Sequence, residues 1–209
     1  MNLIITDGLL GNFDNNPSNI KVISKEGLKL ESVSDVLKGH TVTIMKNSIV
    51  VVSVGSWNVT GSYQGWEFVQ KPSVEKAAEL IAKAAEEFKK SLISLRSVEK
   101  SKKCKIFIAS LIPLADEQNC DEVSKENCYR VSFLSSLFVE VTKLIEDFNN
   151  TGKKRIAKFV TLSKKRKYLT RQQKINTINY DEEGIPKAIT QEKTRRKLTD
   201  FLLNHTRKY

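Results

Sequence analysis

The run from Ile49 to Val54 constrains the fold more than any other stretch of the chain. It reads Ile-Val-Val-Val-Ser-Val and ends at Gly55. A strand with one solvent-facing side alternates apolar and polar residues, whereas a strand covered on both faces is almost continuously apolar. Strands of the second kind belong mainly to parallel sheets that carry helices on both faces. The run therefore predicts an α/β protein.

Apolar runs and amphipathic stretches alternate along the rest of the chain. Further strands are predicted at Leu3–Ile5, Ile20–Ile23, Cys104–Leu111 and Arg155–Leu162. Helices are predicted from the N-cap Ser73 onward, over Ser132–Phe148 and over Thr190–Leu203 with Thr190 as N-cap, and a polar loop is predicted at 116–128. This alternation favours one domain over residues 1–209, a three-layer sandwich around a mainly parallel, five-stranded sheet.

The number and spacing of the cysteines and histidines argue against disulfides and metal sites in the chain. There are three cysteines at uneven spacing and two histidines, which match neither a disulfide framework nor a metal-binding pattern. The first residues resemble a strand and not a signal peptide, and no window is apolar enough to span a membrane. We therefore expect a cytoplasmic protein with free thiols, no metal and no cofactor.

The positive charge of the chain is concentrated in one segment, residues 151–174. The whole chain has 35 basic and 24 acidic residues, a net charge of +11. The segment has ten basic residues and no acidic one: Lys153, Lys154, Arg155, Lys158, Lys164, Lys165, Arg166, Lys167, Arg171 and Lys174. The remaining 25 basic and 24 acidic residues nearly cancel, at +1. A block of one sign produces a local field that attracts polyanions.

Apolar and aromatic residues such as Phe159 and Tyr168 are interleaved with these basic residues. This mixture suits phosphate contacts combined with base stacking, for which Tyr168 and Tyr180 are candidates. Arg195 and Arg196 on the C-terminal helix would extend the surface. RNA is favoured over DNA because no helix-turn-helix or zinc-finger pattern is present. An acidic protein and a membrane surface are the alternative partners. A further alternative is that the segment is a core strand whose lysines only add solubility.

Four motifs follow the predicted strands or precede the last helix in a recognisable order. They are Thr6-Asp7-Gly8-Leu9, Gly27, Val54-Gly55-Ser56-Trp57-Asn58 and Gly184-Ile185-Pro186. Together they resemble the motifs of the SGNH (GDSL-type) hydrolase family. The resemblance implies the family's fold, with a flavodoxin-like strand order. It puts Gly8 at the nucleophilic serine, Trp57 at the oxyanion-hole asparagine, or Asn58 after a one-residue insertion, and Pro186 at the catalytic base.

These replacements remove the chemistry that the family performs. Acyl transfer needs an oxygen nucleophile beside a base, but Gly8 has no side chain and Pro186 cannot exchange a proton. We therefore expect no catalysis and no small-molecule substrate. A basic, non-catalytic domain of this kind resembles the OSK domains of insect germ plasm, which implies mRNA binding and assembly with germ-granule proteins. A protein-interaction scaffold and an esterase that uses Ser56 or Ser110 are the alternatives.

Overall fold

The computed structural model describes residues 1–10, 13, 17–39, 44–61, 74–109, 111, 125–150 and 192–207. The strands and helices in these ranges are β1 (Asn2–Thr6), β2 (Ile20–Ser24), α1 (Leu30–Lys38), β3 (Ile49–Ser53), α2 (Ser56–Gly61), α3 (Val74–Lys102), β4 (Lys105–Ile108), α4 (Lys125–Asn150) and α5 (Glu192–Arg207). Among these helices, none is both long and apolar enough to cross a membrane.

The four strands form one sheet in the order β2-β1-β3-β4, and every neighbouring pair is parallel. β1 lies beside both β2 and β3, with Ile4 opposite Val22 on one side and Val51 on the other. The chain moves outward from β1 to β2 and in the opposite direction from β3 to β4. The strand order therefore reverses between β1 and β3, and this is the place where open parallel sheets usually bind ligands.

Alternate side chains of β3 point to opposite faces of the sheet, as the two-residue repeat of a strand requires. Val50 and Val52 pack in the core that includes α1, α3 and α4, whereas Ile49 and Val51 pack in the core that includes α5. All residues of β3 are buried. The prediction of a mainly parallel sheet with helices on both faces is confirmed.

Several predicted boundaries are corrected by the structure. The predicted loop 116–128 is wrong at its end, because α4 already begins at Lys125. Those first residues are polar and lack an apolar repeat, but a helix can extend through them once its later turns are packed. β4 ends at Ile108, earlier than predicted, and α2 is a helix that was not predicted.

The last helix continues beyond its predicted end at Leu203, as far as Arg207. Thr206 is fully buried, and its hydroxyl donates a hydrogen bond to the Leu202 carbonyl at 2.7 Å. Burial against the sheet therefore holds a final turn whose residues have no strong helix propensity. The predicted N-caps Ser73 and Thr190 lie outside the described residues.

The outer edge of β4 is paired with side chains. The Ile106 amide donates to the Glu99 carboxylate at 3.1 Å, and the Ile108 amide donates to the Asn149 amide oxygen at 3.1 Å. The Asn149 amide nitrogen in turn donates to the Ile108 carbonyl at 2.8 Å. The described sheet thus has four strands, and the predicted fifth strand, Arg155–Leu162, lies outside the described residues.

Candidate functional site

The crevice between the carboxyl ends of β1 and β3 is built from two short turns. Asp7 and Gly8 follow β1, while Gly55 and Ser56 follow β3 and lead directly into α2. Because β1 and β3 are neighbours in register, both turns emerge at the same edge of the sheet. We call this region the carboxyl edge. It is where the SGNH-like motifs were expected to meet.

Gly8 has a backbone conformation that only glycine adopts easily, with a φ of 86°. A Cβ atom at this position would lie 2.9 Å from the Glu26 Cα and 3.2 Å from the Glu26 nitrogen. Both neighbours are backbone atoms, so they cannot move aside as a flexible side chain would. A serine at position 8 therefore conflicts with this turn through its φ and through its Cβ contact.

Gly55 is constrained in the same way on the neighbouring strand. Its φ is 137°, and an added Cβ would lie 2.6 Å from the Leu111 Cδ2 and 3.2 Å from the Phe88 Cε2. These neighbours are core side chains that would have to shift to admit a Cβ, and the φ itself strains any residue other than glycine. Glycines at both turns allow the two loops to close tightly over the ends of their strands.

Asp7 is the one acidic side chain among these turns, and it is only 1% exposed. Its Oδ1 accepts a hydrogen bond from the Leu9 amide at 3.4 Å, while its Oδ2 has no hydrogen-bond partner within the described part of the chain. Burial raises the pKa of Asp7 to about 7, against weaker opposing effects of the nearby backbone amides of Leu9, Gly55 and Ser56. Those amides favour the charged form without supplying a hydrogen bond to Oδ2. Desolvation thus favours the neutral form of this carboxyl group at the carboxyl edge.

Asn58 holds the start of α1. Its side-chain oxygen accepts a hydrogen bond from the Leu30 amide at 2.8 Å, and its side-chain nitrogen donates to the Glu31 carboxylate at 2.7 Å. Lys29, which precedes α1, makes no side-chain cap hydrogen bond of its own. Asn58 therefore serves as a cap supplied from another helix. The amide that would form an oxyanion hole is engaged with α1.

Trp57 is the other candidate for the oxyanion-hole position. Its side chain is partly buried and packs against the core beneath α5. The indole nitrogen Nε1 is buried without a hydrogen-bond partner among the described residues. An indole N–H in an apolar setting costs free energy, and the apolar contacts of the ring offset that cost.

The predicted RNA-contact residues fall into two groups. The segment 151–174, including Tyr168, lies outside the described residues, as do Tyr180 and Pro186. Arg195 and Arg196 lie on α5, where Arg195 is partly buried and Arg196 is exposed. The Arg196 guanidinium is 4.0 Å from the Glu192 carboxylate, and both side chains are more than 70% exposed. A pair this exposed adds little stability and leaves the arginine accessible.

The structure also brings together five lysines that were not predicted as a site. They are Lys46, Lys100, Lys102, Lys103 and Lys105, and all are exposed. They lie in the turn before β3 and around the end of α3, at the amino ends of β3 and β4. We call this group the amino-edge lysines. Four of them occur in the six residues 100–105, a cluster that the sequence shows. It was not predicted as a site because the segment 151–174 has more basic residues.

A groove of about 710 Å³ lies between α3, α4 and the edge of β4. Its polar centre is Arg96, whose guanidinium lies 3.8 Å from the centroid of the Phe148 ring and donates hydrogen bonds to Glu99 and to the Phe148 carbonyl. These contacts engage Arg96 within the protein. Lys100 and Lys105 also line the groove, so it borders the amino-edge lysines.

Comparison with known proteins adds no identification to this geometry. Neither the models of known protein families nor the curated proteins contain a match to the chain. The fold and site therefore define the class at the level of an α/β protein with a parallel sheet flanked by helices.

Proposed function

We propose that the chain is a non-catalytic RNA-binding domain that contacts RNA phosphates through the basic segment 151–174. The observation that carries the proposal is the distribution of charge, with ten basic residues and no acidic one in that segment. Each lysine or arginine that contacts a phosphate displaces condensed counterions, which supplies sequence-independent affinity. Tyr168 and Tyr180 would add stacking on unpaired bases.

The state of the carboxyl edge supports a function without catalysis. Gly8 occupies the position of the expected nucleophile in a turn that excludes a side chain, and Asn58 caps α1. Among the turn residues Asp7, Gly8, Gly55 and Ser56, the titratable side chain is that of Asp7, and it is almost completely buried. Turnover of short p-nitrophenyl esters by the purified protein, lost when Ser56 is replaced by alanine, would contradict the proposal and favour an esterase.

The finer fold that we propose is the SGNH-like sheet of five strands in flavodoxin-like order, with Arg155–Leu162 as the fifth strand. A strand added beside β4 would replace the hydrogen bonds of Glu99 and Asn149 to the outer edge. Amide hydrogen exchange tests this arrangement. Slow exchange at alternate residues of 155–162 is expected, and uniformly fast exchange across them would leave a four-stranded sheet.

The biological setting that we propose follows from the resemblance to the OSK domain of Oskar, the insect germ-plasm organiser. A degenerate SGNH-like domain with this charge would bind mRNA in the cytoplasm and help to assemble germ-granule ribonucleoprotein. Crosslinking to RNA in cells, followed by mapping of the crosslinked peptides, tests this setting. Crosslinks confined to non-coding structural RNAs would argue against it.

A salt titration of RNA affinity tests the proposal most directly. The logarithm of the binding constant should fall linearly with the logarithm of the salt concentration, by about 0.7 for each contact to single-stranded RNA. Replacing Lys164, Lys165, Arg166 and Lys167 by alanine should reduce that slope by about 3 and weaken binding to all sequences alike. A parent slope near zero would contradict RNA binding.

An acidic protein partner is the alternative that the same charge supports. A complex that survives nuclease treatment and requires the four residues Lys164, Lys165, Arg166 and Lys167 would favour this scaffold. In that case the salt dependence would appear in the protein complex and be absent for RNA.

A further inference from the structure

Two facing turns assemble the amino-edge lysines. Lys46 lies in a turn closed by a hydrogen bond from the Ser48 amide to the Met45 carbonyl at 3.0 Å. The next residue, Asn47, donates its amide to the Lys103 carbonyl at 2.9 Å. This hydrogen bond joins the turn before β3 to the end of α3, so Lys46 comes close to lysines more than fifty positions later in the chain.

The end of α3 has the geometry of a Schellman motif. The Cys104 amide donates to the Glu99 carbonyl, and the Lys103 amide donates to the Lys100 carbonyl, both at 3.3 Å. Lys103 has the left-handed φ of 51° that this motif requires, a conformation in which glycine is usual. A lysine at this position costs about 1 kcal/mol of backbone strain. The need to end the helix does not by itself explain why lysine and not glycine occupies position 103.

The amino-edge lysines differ from the other lysines of α3 in their surroundings. Lys76 lies 3.0 Å from the Glu79 carboxylate, and Lys89 lies 3.7 Å from the Glu86 carboxylate. The ion pairs among the described residues include none of the amino-edge lysines. Glu99, the nearest acid in the sequence, is engaged by Arg96 and the Ile106 amide. Among the described residues these lysines form no ion pair, although Asp147 lines the groove beside Lys100 and Lys105, so the surface has an excess of positive charge.

A helix dipole explains only part of this arrangement. Lys100 and Lys102 lie in the last turn of α3, where positive charge interacts favourably with the free carbonyls. Lys46 and Lys105 do not belong to α3, but they lie on the same surface. Both are joined to it by the sheet, since the Lys105 amide donates to the Ser48 carbonyl at 2.9 Å.

We infer that the amino-edge lysines form a second RNA-contact surface, which binds phosphates of the RNA backbone at the end of the sheet opposite to the SGNH-like motifs. This inference rests on the proposed function for the identity of the ligand, but it uses no residue of 151–174. Ammonium groups act as point charges toward phosphate oxygens. The side-chain amide of the exposed residue Asn47 adds a neutral donor beside them.

RNA fits this surface better than a membrane does. Proteins that bind membrane surfaces usually insert a row of apolar side chains beside the basic ones. Here the exposed apolar residues are Met45, in the turn that carries Lys46, and Met1, whose amino group lies 3.9 Å from the Met45 Sδ, and two methionines do not form a row. No exposed apolar stripe runs along the described residues 100–105. The contacts are therefore those of charge with charge, as for a phosphate backbone.

Three variants of the full-length chain that each remove four positive charges test the inference. The amino-edge variant replaces Lys100, Lys102, Lys103 and Lys105 by glutamine. The control variant replaces Lys76, Lys83, Lys89 and Lys90 of α3 by glutamine, and the segment variant replaces Lys164, Lys165, Arg166 and Lys167 by alanine. Each lowers the net charge from +11 by 4, to +7, so differences among them report where the charges lie.

The measurement is the affinity for a mixed-sequence single-stranded RNA as a function of salt. The amino-edge variant should lower the salt slope by about 3 and the affinity by at least about tenfold, whereas the control variant should match the parent. The single change Lys46→Gln, which lies outside α3, should lower the slope by about 0.7. Circular dichroism and melting curves check that each variant is folded.

The outcomes separate this inference from the proposed function. If the segment variant loses affinity and the folded amino-edge variant does not, the second surface is wrong and the proposed function stands. If the amino-edge variant alone loses affinity, the second surface stands and the segment is not the RNA site. A parent without RNA affinity overturns both. Binding of phosphatidylserine vesicles that depends on these lysines, with unchanged RNA affinity, also overturns the inference.

Discussion

The two ends of the same parallel sheet have opposite characters. At the carboxyl edge, glycines with positive φ bring the turns after β1 and β3 close to the core, and Asp7 is buried beneath them. At the amino edge, the residues with positive φ are Asn47 and Lys103, and the surrounding lysines are exposed. One end excludes water from a single carboxyl group, whereas the other presents an excess of positive charge to solvent among the described residues.

This difference shows that the turns at the usual ligand end of a fold can be closed in a given chain. Open α/β sheets generally bind ligands beyond the carboxyl ends of their strands. Here the turns at that end are filled by backbone, by Asn58 as a helix cap and by a buried acid. The exposed charges that follow β2, Lys25 and Glu26, have opposite signs, whereas the exposed lysines at the other end share one sign.

The pH dependence of stability should reveal the buried acid of the carboxyl edge. The pKa of Asp7 is raised from 3.8 to about 7 in the folded state, so between these values the folded protein holds a proton that the unfolded chain has lost. The free energy of unfolding should therefore fall as pH rises through this window, by as much as about 4 kcal/mol, and then level off. Asp7→Asn should abolish this contribution.

Denaturant unfolding across this pH range, for the parent and for Asp7→Asn, is the measurement. The two stability curves should converge at acidic pH and diverge toward neutral pH, with the variant more stable. Asp35→Asn is the control, because this carboxyl group is exposed beside Lys38. Parallel curves for the parent and Asp7→Asn would mean that Asp7 is charged in the folded protein.

Two glycine substitutions should separate steric exclusion from backbone strain. Gly8 and Gly27 both have positive φ, but a Cβ would meet the Glu26 backbone at Gly8 and open space at Gly27. Gly8→Ala should therefore cost about 3 kcal/mol and Gly27→Ala about 1 kcal/mol, by chemical denaturation. Equal losses would show that the turn after β1 has room for a side chain, and the expected nucleophile position would have to be reconsidered.

An asparagine stabilises each end of the sheet, and the two can be compared directly. At the amino edge, Asn2 accepts a hydrogen bond from the Ile49 amide and donates one to the Thr206 carbonyl, both at 3.0 Å. Asn2→Ala should cost about 2 kcal/mol, because it leaves two partly buried backbone groups unpaired. Asn58→Ala should cost about 1 kcal/mol, the usual value of a helix cap. Thermal melting of both variants tests this order, which a larger loss for Asn58→Ala would reverse.

The smallest effect on stability should come from Lys103. Replacing it by glycine relieves the left-handed strain at the end of α3, but it also adds freedom to the unfolded chain. Lys103→Gly should therefore change stability by no more than about 0.5 kcal/mol, and it should still reduce the salt slope of RNA binding by about 0.7. A clear loss of stability with an unchanged slope would mean that the lysine serves only the helix end.

The elements predicted with success have strong local patterns. The β-branched run at Ile49–Val54 predicted a strand covered on both faces, and every residue of β3 is buried. Helix α5 was also predicted from the sequence, and Leu198, Phe201 and Leu202 within it are buried. Side-chain periodicity alone carries this information, because it repeats within a few residues.

The elements that sequence reasoning missed depend on distant partners. α2 spans only Ser56–Gly61, too short for a recognisable repeat, and Asn58 within it contacts the start of α1. The outer edge of β4 is paired by Asn149, which lies 41 positions away from Ile108. Neither hydrogen bond can be inferred from the local pattern of residues.

The alternation of strands and helices, the parallel sheet and the uneven distribution of charge follow from the amino-acid sequence, since each depends on neighbouring residues. Which residues meet at the two ends of the sheet depends instead on the tertiary structure. Strand register places Lys105 beside Ser48 and thereby joins Lys46 to the lysines of α3. The backbone of Glu26 decides that Gly8 has no room for a side chain. Both results arise from hydrogen bonds and close contacts between segments that are distant in sequence.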